Sequence, residues 1–156
     1  MKDYPSAALW GAGQMTTVKQ LLDQKGREVL SIHPDATVFD AIKKMADKNV
    51  GSLVVLEDDK LVGIITERHY ARKVVLEGRA SPATPVRTIM ETSVIYAKPQ
   101  QSVEECMAVM TDKKIRHLPV IENGRLIGII SIGDLVQAII SHQQFTIEQL
   151  EFYIHR

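Results

Sequence analysis

The sequence has few of the features that mark secreted or nucleic-acid-binding proteins. It contains one cysteine, Cys106, so no internal disulfide can form, and this favours a reducing compartment. Lysine plus arginine and aspartate plus glutamate each number 19, so the formal net charge is zero and no overall field attracts nucleic acid. Aromatic residues make up only 5% of the chain, and no basic stripe interleaved with aromatics is present. These absences argue against nucleic acid as a partner.

Long apolar runs are also absent. The most apolar stretches, residues 53–56 and 135–140, are far shorter than the roughly 20 residues that a helix needs to span a bilayer. The N-terminal sequence MKDYPSAALWGAG has no basic segment followed by an apolar one, so it is not typical of a secretory signal. We therefore expect a cytoplasmic protein without a membrane partner.

What the chain does contain is an internal duplication. Residues 116–140 repeat the pattern of residues 51–75 without a gap, at a constant offset (128 − 63 = 65). The register holds upstream, and the aligned pairs include Pro34 with Pro99, Met45 with Met110, and Gly63 with Gly128. Such self-similarity predicts two copies of one structural unit, which bury their apolar faces against each other.

Apolar periodicity predicts the order β-α-β-β-α in each copy. Two strand pairs are expected, residues 52–57 with 60–66 and residues 117–121 with 125–131. The second pair meets at Asn-Gly, a strong two-residue hairpin signal. Shorter strands are expected at residues 29–32 and 93–96. Helices are expected at residues 17–22, 38–45, 67–76, 86–90, 103–110, 134–141 and 146–154.

These elements divide the chain into five segments. They are an N-terminal arm (1–16), a first repeat (17–79), a linker (80–85), a second repeat (86–142) and a C-terminal helix (143–156). Gly78, Pro82 and Pro85 mark the linker. The expected fold class is α/β (α+β), with the two repeats packed about a pseudo-two-fold axis.

The duplicated topology resembles the cystathionine-β-synthase (CBS) domain, of which a tandem pair is called a Bateman module. The resemblance is carried by GIIT at residues 63–66, IRHLPV at 115–120 and GIISIGD at 128–134, and it covers roughly residues 17–142. It implies a regulatory module, not an enzyme, that binds AMP, ADP, ATP, NAD or S-adenosylmethionine in clefts between the repeats. It also implies a homodimer formed through the CBS helices and an unidentified regulated protein.

In the second repeat, the candidate ligand residues are Ser131 and Asp134. They begin the last helix, where free backbone N–H groups and the helix dipole favour an anion. The resemblance implies that Ser131 binds a phosphate and that Asp134 binds the ribose hydroxyls, a role that suits an acceptor-only carboxylate. The same Ser-x-x-Asp spacing is also typical of a helix cap, and the residues alone leave both interpretations open.

The resemblance also implies the surroundings of the adenine in this second site. The positions are Met90, Ile95 and the strand start Ile115, Arg116 and His117. Arg116 has the charge and the planar shape to reach phosphates from its own or the opposing site.

The first repeat departs from the family pattern at His69, which stands where the second repeat has Asp134. Thr66 matches Ser131, but a neutral imidazole offers one acceptor where a carboxylate offers two oxygens. The site is thus empty, weaker or adapted to a ligand with extra phosphate. The neighbours Arg68, Arg72 and Lys73 favour phosphate binding, and a solvated basic helix face is the alternative. The other matching positions are Leu22, Leu30, Val50, Gly51 and Ser52.

Three functions follow from these patterns. The first is a nucleotide sensor, and the second is a ligand-free CBS dimer that serves as an interaction scaffold. An enzyme is the least favoured, because no general base pairs with a nucleophile and no carboxylate cluster suits Mg²⁺. No metal is expected, since the histidines show no ligand spacing with cysteine or carboxylates. Cys106 is expected to be a buried core thiol.

Overall fold

The structure, a computed structural model, describes residues 16–155, so the predicted N-terminal arm lies outside the described residues except for Thr16. The chain divides into two compact units, one of residues 28–95 and one that joins residues 16–27 to residues 96–155. Within residues 16–155, no helix is both long and apolar enough to cross a membrane. The mixed α/β class is confirmed.

Helices and strands alternate along the described residues. In chain order they are α1 Val18–Lys25, β1 Ser31–Ile32, α2 Val38–Lys48, β2 Ser52–Glu57, β3 Lys60–Thr66, α3 Glu67–Tyr70, α4 Val103–Lys113, β4 His117–Glu122, β5 Arg125–Ser131 and α5 Ile132–Ile154. A π-helical turn continues α3 over Ala71–Val75, and short 3₁₀ turns cover Ser81–Ala83 and Val86–Thr88.

In the unit of residues 28–95, a three-stranded sheet packs against α2. The strand order is β1-β2-β3, with β1 parallel to β2 and β2 antiparallel to β3. Thr37 caps α2, since its side chain accepts the Asp40 N–H. Three apolar side chains of α2 are buried in a cluster, which consists of Val38, Ala41, Met45, Leu53, Val55, Ile65, Val74, Val86 and Ile89. Each valine, leucine, isoleucine or methionine contributes about 1.5–3 kcal/mol when fully buried.

Both predicted hairpins are confirmed. Asp58 and Asp59 join β2 to β3 with φ of 51° and 62°, and Asn123 and Gly124 join β4 to β5 with φ of 51° and 76°. Positive φ at both central residues is typical of the type I′ turn, whose twist matches that of the flanking strands. The register of each hairpin also shifts at the same place in the repeat, after Val55 and after Val120.

In the unit that joins residues 16–27 to residues 96–155, backbone hydrogen bonds connect α1 to the start of α4. The Val18 N–H donates to the Gln101 carbonyl at 2.8 Å, and the Val103 N–H donates to the Thr16 carbonyl at 2.9 Å. In the unit of residues 28–95, Ile64 and Glu91 exchange two backbone hydrogen bonds of 2.9 and 3.0 Å. Each compact unit therefore contains the first segment of the other repeat. The predicted boundaries, 17–79 and 86–142, describe sequence repeats and differ from these spatial units.

The strand predicted at residues 93–96 does not form, and only a parallel bridge from Ala97 to Val120 remains. The aligned bridge in the other unit joins Ile32 to Val55 within β1 and β2. There the Val54 N–H also donates to the Leu30 carbonyl at 3.2 Å. The residue aligned with Val54 is Pro119, which has no N–H to donate, so this bond has no counterpart.

Four helix predictions were also wrong in extent. The helices predicted at 134–141 and 146–154 are one continuous helix, α5, because no glycine or proline interrupts residues 134–154. The helix predicted at 67–76 changes to π-helical geometry after Tyr70. The segment 86–90 forms only a 3₁₀ turn, in which the Val86 N–H donates to the Ala36 carbonyl.

Candidate functional site

The junction between β5 and α5 holds the strongest candidate residues of the second repeat. Ser131 is the N-cap: its Oγ accepts the Asp134 N–H at 3.2 Å, and Asp134 Oδ2 accepts the Ser131 N–H at 2.8 Å. This reciprocal capping box fixes both side chains at the first turn of the helix. The capping interpretation is therefore confirmed, and the ligand role stays a prediction.

The start of β4 lies beside this junction. His117 pairs with Ser131 in the antiparallel register, and the Arg116 carbonyl accepts the Ile132 N–H at 2.8 Å. The sheet thus brings Arg116 and His117 next to the cap, although they are distant from it in sequence. An anion at the helix start would meet the positive end of the helix dipole and the side chains of the strand start, while the Ile132 and Asp134 N–H groups are already bonded within the protein.

Lys25, at the end of α1, was not predicted to belong to this site. Its Nζ donates to Asp134 Oδ2 at 2.5 Å and to the Ile129 carbonyl at 2.7 Å. Both side chains are partly exposed, so solvent screens the ion pair. The repeat gives no hint of this contact, because α1 aligns with the segment that begins at Val86 (86 − 18 = 68), and the residue aligned with Lys25 is Ser93 (25 + 68 = 93).

Charge at this junction is set by burial and by these contacts. Burial raises the pKa of Asp134, but the hydrogen bonds from Lys25 and Ser131 outweigh it, so its pKa lies below the ordinary value and the carboxylate is charged. Burial lowers the pKa of His117, and the nearby Lys25 and Arg116 lower it further, against a smaller opposing effect of Asp134. The junction therefore holds one anion, two cations and a neutral imidazole.

The first repeat builds the same layout with different chemistry. Thr66 Oγ1 accepts the His69 N–H, and His69 Nδ1 accepts the Thr66 N–H, both at 3.2 Å. Ser52 pairs with Thr66, and the Gly51 carbonyl accepts the Glu67 N–H at 3.2 Å. His69 therefore replaces the aspartate in the cap, while Gly51 supplies no side chain where the second repeat has an arginine.

The surroundings of His69 are cationic. Burial lowers the pKa of His69, and Lys73, Arg68 and Arg72 lower it further, while Glu91 raises it. Lys73 Nζ also donates to the Ile89 carbonyl at 3.2 Å. The basic residues that sequence reasoning placed here are thus close enough to act on His69.

The remaining candidates divide between the two units. Leu30 packs against the core of the unit of residues 28–95, which also contains Met90 and Ile95. Ile115 belongs to the unit that contains Ser131 and Asp134. The adenine contacts predicted for Met90 and Ile95 with Ile115 therefore remain predictions.

The family model of the CBS domain matches residues 18–76 and 86–141. The chain belongs to the CBS-domain family. This match confirms the resemblance that the motifs indicated, with two repeats that together cover most of the chain.

Relatives of known sequence and structure agree with this assignment. The CBS domain-containing protein CBSX3, mitochondrial, of Arabidopsis thaliana is 41% identical over 90% of this chain and 73% of its own length. A CBS-domain protein from Burkholderia ambifaria, described as a candidate signal-transduction protein, is 51% identical with a TM-score of 0.79, over 81% of this chain and 95% of that one. The CBS pair of protein MJ0100, solved with 5′-methylthioadenosine and S-adenosyl-L-methionine, is 25% identical with a TM-score of 0.73, over 82% of this chain and 98% of that one.

Two further groups of this CBS pair, the Cys106 thiol and the cluster around His33, concern the predictions about a nucleophile and a metal site. Cys106 is buried, and burial, followed by Glu105 and Glu104, raises its pKa to about 11, so the thiol is a poor nucleophile as expected. The prediction that no histidine lies at ligand spacing from carboxylates was wrong for His33, which lies within 4.8 Å of Asp35 and Glu57. Arg87, however, donates to Asp35 at 3.2 Å and to Glu57 at 3.0 Å, so this exposed group is an ion-pair network.

The His69 cap predicts a pH dependence of stability. Because the folded-state pKa of His69 is lowered, the unfolded chain binds the proton more readily, and stability falls as pH drops below the ordinary histidine value of about 6.5. Protonation at Nδ1 also removes the acceptor for the Thr66 N–H. A His69→Gln variant keeps a capping box with a side chain that does not titrate, so its melting temperature should fall less between pH 7.5 and 5.5. An unchanged pH profile would contradict this role.

Proposed function

We propose that this CBS pair binds an adenosine-containing ligand, AMP, ADP, ATP or NAD, and regulates a separate protein. The observation that carries the proposal is the β5–α5 junction, where Ser131 and Asp134 meet Arg116, His117 and Lys25 at a helix start. A ligand with a phosphate and a ribose complements these groups. The phosphate can accept hydrogen bonds from Ser131, Arg116 and Lys25, and the ribose hydroxyls can donate to Asp134.

The cap and the ligand do not exclude each other. The Ser131 hydroxyl accepts the Asp134 N–H through one lone pair and keeps its own proton to donate to a phosphate oxygen. Within residues 16–155, the hydrogen bonds of Asp134 go to Oδ2, which leaves Oδ1 for ribose hydroxyls. Arg116 and Lys25 supply the positive charge that a phosphate needs, and Ile115 of the same unit would contact the adenine.

The first repeat forms a weaker site in this proposal. Since His69 Nδ1 already accepts the Thr66 N–H, the neutral ring presents Nε2–H, which donates a single hydrogen bond to a ribose hydroxyl. Gly51 adds no charge at the strand start, whereas Arg68 stands in the helix beside the cap. Ser52 and Leu30 would complete the site.

Regulation, rather than catalysis, is the role that fits the family. The described site contains a capping serine and a carboxylate bonded to lysine, not a nucleophile with a paired base. The hexameric CBS-CP12 protein of bloom-forming cyanobacteria shows that a CBS protein can assemble into multimers. For this chain we propose a homodimer through the CBS helices and a cytoplasmic location, although the Arabidopsis relative is named as mitochondrial.

A thermal unfolding panel tests the proposal. Ligand at a hundred times its dissociation constant adds about 2.7 kcal/mol to the free energy of unfolding, which raises the midpoint by roughly 5–11 °C for a chain of this size. The panel contains AMP, ADP, ATP, NAD⁺, NADH and S-adenosylmethionine, with GTP as the control for the base. A rise confined to adenosine compounds is the expected result.

The alternative is a ligand-free CBS dimer that acts as an interaction scaffold. It is favoured by the caps themselves, since Ser131–Asp134 and Thr66–His69 are satisfied by the protein alone. The absence of any midpoint shift across the panel would select the scaffold and leave these residues as helix caps.

A further inference from the structure

The second half of α5 has an unpartnered apolar stripe with a heptad repeat. Its positions recur at spacings of four and three, as in a coiled-coil seam, and all of them except Gln143 are apolar. The a positions are Ile140, Ile147 and Ile154, and the d positions are Val136, Gln143 and Leu150. The five apolar members of this seam have exposed fractions between 43% and 73% in the protomer. Most of the stripe lies beyond residue 141, where the CBS match ends.

We propose that this seam pairs with the same seam of a second copy as a parallel two-stranded coiled coil. A heptad seam is complementary to another heptad helix, and a second copy presents an identical one. Isoleucine at each a position with leucine at the d position 150 favours two parallel strands. The paired stretch is about 28 Å long and would bury on the order of 800 Å², which is below the roughly 1,000 Å² of a stable interface, so the seam alone would form a weak pair.

Gln143 sets the direction of the pair. In a parallel, in-register pair the two Gln143 amides meet each other in one layer and can exchange hydrogen bonds, as buried polar residues of a seam do when they fix register. In an antiparallel pair centred on the seam, each amide would instead face the partner's Ile147 and leave polar groups unpaired. The flanking charges do not oppose the parallel arrangement, because Glu151 at an e position would face Thr146 of the partner subunit.

Disulfide trapping tests both the seam and its direction. In a Cys106→Ala background, Leu150→Cys places the single thiol at a d position, where parallel helices bring the two Cα atoms within disulfide range. An antiparallel pair would hold these positions about 15 Å apart. Glu148→Cys is the matched control, since it lies on the same exposed helix but off the seam. Mild oxidation should yield at least ten times more cross-linked dimer from Leu150→Cys than from Glu148→Cys.

Adding Ile147→Lys to the Leu150→Cys variant should reduce this cross-link to the level of the control. Because Ile147 is 49% exposed in the protomer, the monomer should keep its melting temperature, which checks that the variant is folded. Equal cross-linking of the two cysteine variants would refute pairing through the seam. A monomeric mass at all concentrations would also refute it, and the apolar face would then be covered by another part of the chain or by another protein. This inference deepens the proposed self-association. A dimeric mass without the Leu150 cross-link would refute the seam and leave dimerisation through the CBS helices standing.

Discussion

A Gly63→Ala variant should lose about 2 kcal/mol of unfolding free energy, with a fall of about 4–8 °C in melting temperature. A Cβ at Gly63 would lie 2.8 Å from Met90 Sδ and 2.9 Å from the Glu91 carbonyl oxygen. Met90 can rotate away, but the carbonyl belongs to the hydrogen-bond pair between Glu91 and Ile64. A shift of that carbonyl therefore weakens the attachment of residues 86–91 to β3.

Gly128→Ala is the matched control, because Gly128 is the aligned glycine of the other repeat. A Cβ there would lie 2.7 Å from Leu22 Cδ2, which is a contact with a side chain and not with the backbone. The alanine also reduces the conformational entropy of the unfolded chain, which offsets part of the cost. We expect its melting temperature to stay within about 3 °C of the wild type. Equal losses of melting temperature in the two variants would show that the contact with the Glu91 carbonyl at Gly63 does not determine the loss of stability.

The repeat made the strand pairs predictable from the sequence. Turn residues that tolerate positive φ, together with alternating apolar residues, define both hairpins locally, and the aligned positions support each other. The cap at Ser131 was also visible as a local pattern, because its partner Asp134 is three residues away. Features that depend on nearby residues were thus available before the structure.

Features that depend on residues distant in the sequence could not be predicted from it. Lys25 contacts Asp134 although the two are far apart in the sequence, and the aligned residue of the other repeat is Ser93, which carries no charge. The strand predicted at residues 93–96 does not form because Pro119 has no N–H to donate. This matters only once it is known which strand lies opposite that segment. The pairing of α1 with the second repeat is likewise a matter of tertiary contacts, which linear repeat boundaries do not contain.

Removal of the Asp134 carboxylate should separate the two roles proposed for it. An Asp134→Ala variant loses half of the capping box, which costs about 1 kcal/mol of stability, and the partly exposed pair with Lys25 adds little. If Asp134 also accepts the ribose hydroxyls, AMP affinity should fall by about 30-fold or more, since hydrogen bonds to a charged group contribute about 1.5–3 kcal/mol. Isothermal titration with AMP measures this loss directly.

The control for the cap is Ser102→Ala. The Ser102 hydroxyl caps α4 by accepting the Glu105 N–H at 3.1 Å, so its removal costs similar stability at a different helix. AMP affinity should stay within about twofold of the wild type in this variant, a difference of roughly 0.4 kcal/mol. A comparable loss of AMP affinity in both variants would mean that affinity follows helix capping rather than a ribose contact.

The ligand itself provides the sharper comparison. 2′,3′-Dideoxy-AMP keeps the adenine and the phosphate but lacks the two hydroxyls assigned to Asp134. The wild type should bind AMP about 30-fold more tightly than the dideoxy form, whereas Asp134→Ala should bind the two nearly equally. Non-additivity of this kind locates the interaction between the carboxylate and the hydroxyls, because a general loss of structure would weaken both ligands alike. If the variant still prefers AMP by the wild-type factor, Asp134 is a cap alone, and the ribose is recognised elsewhere.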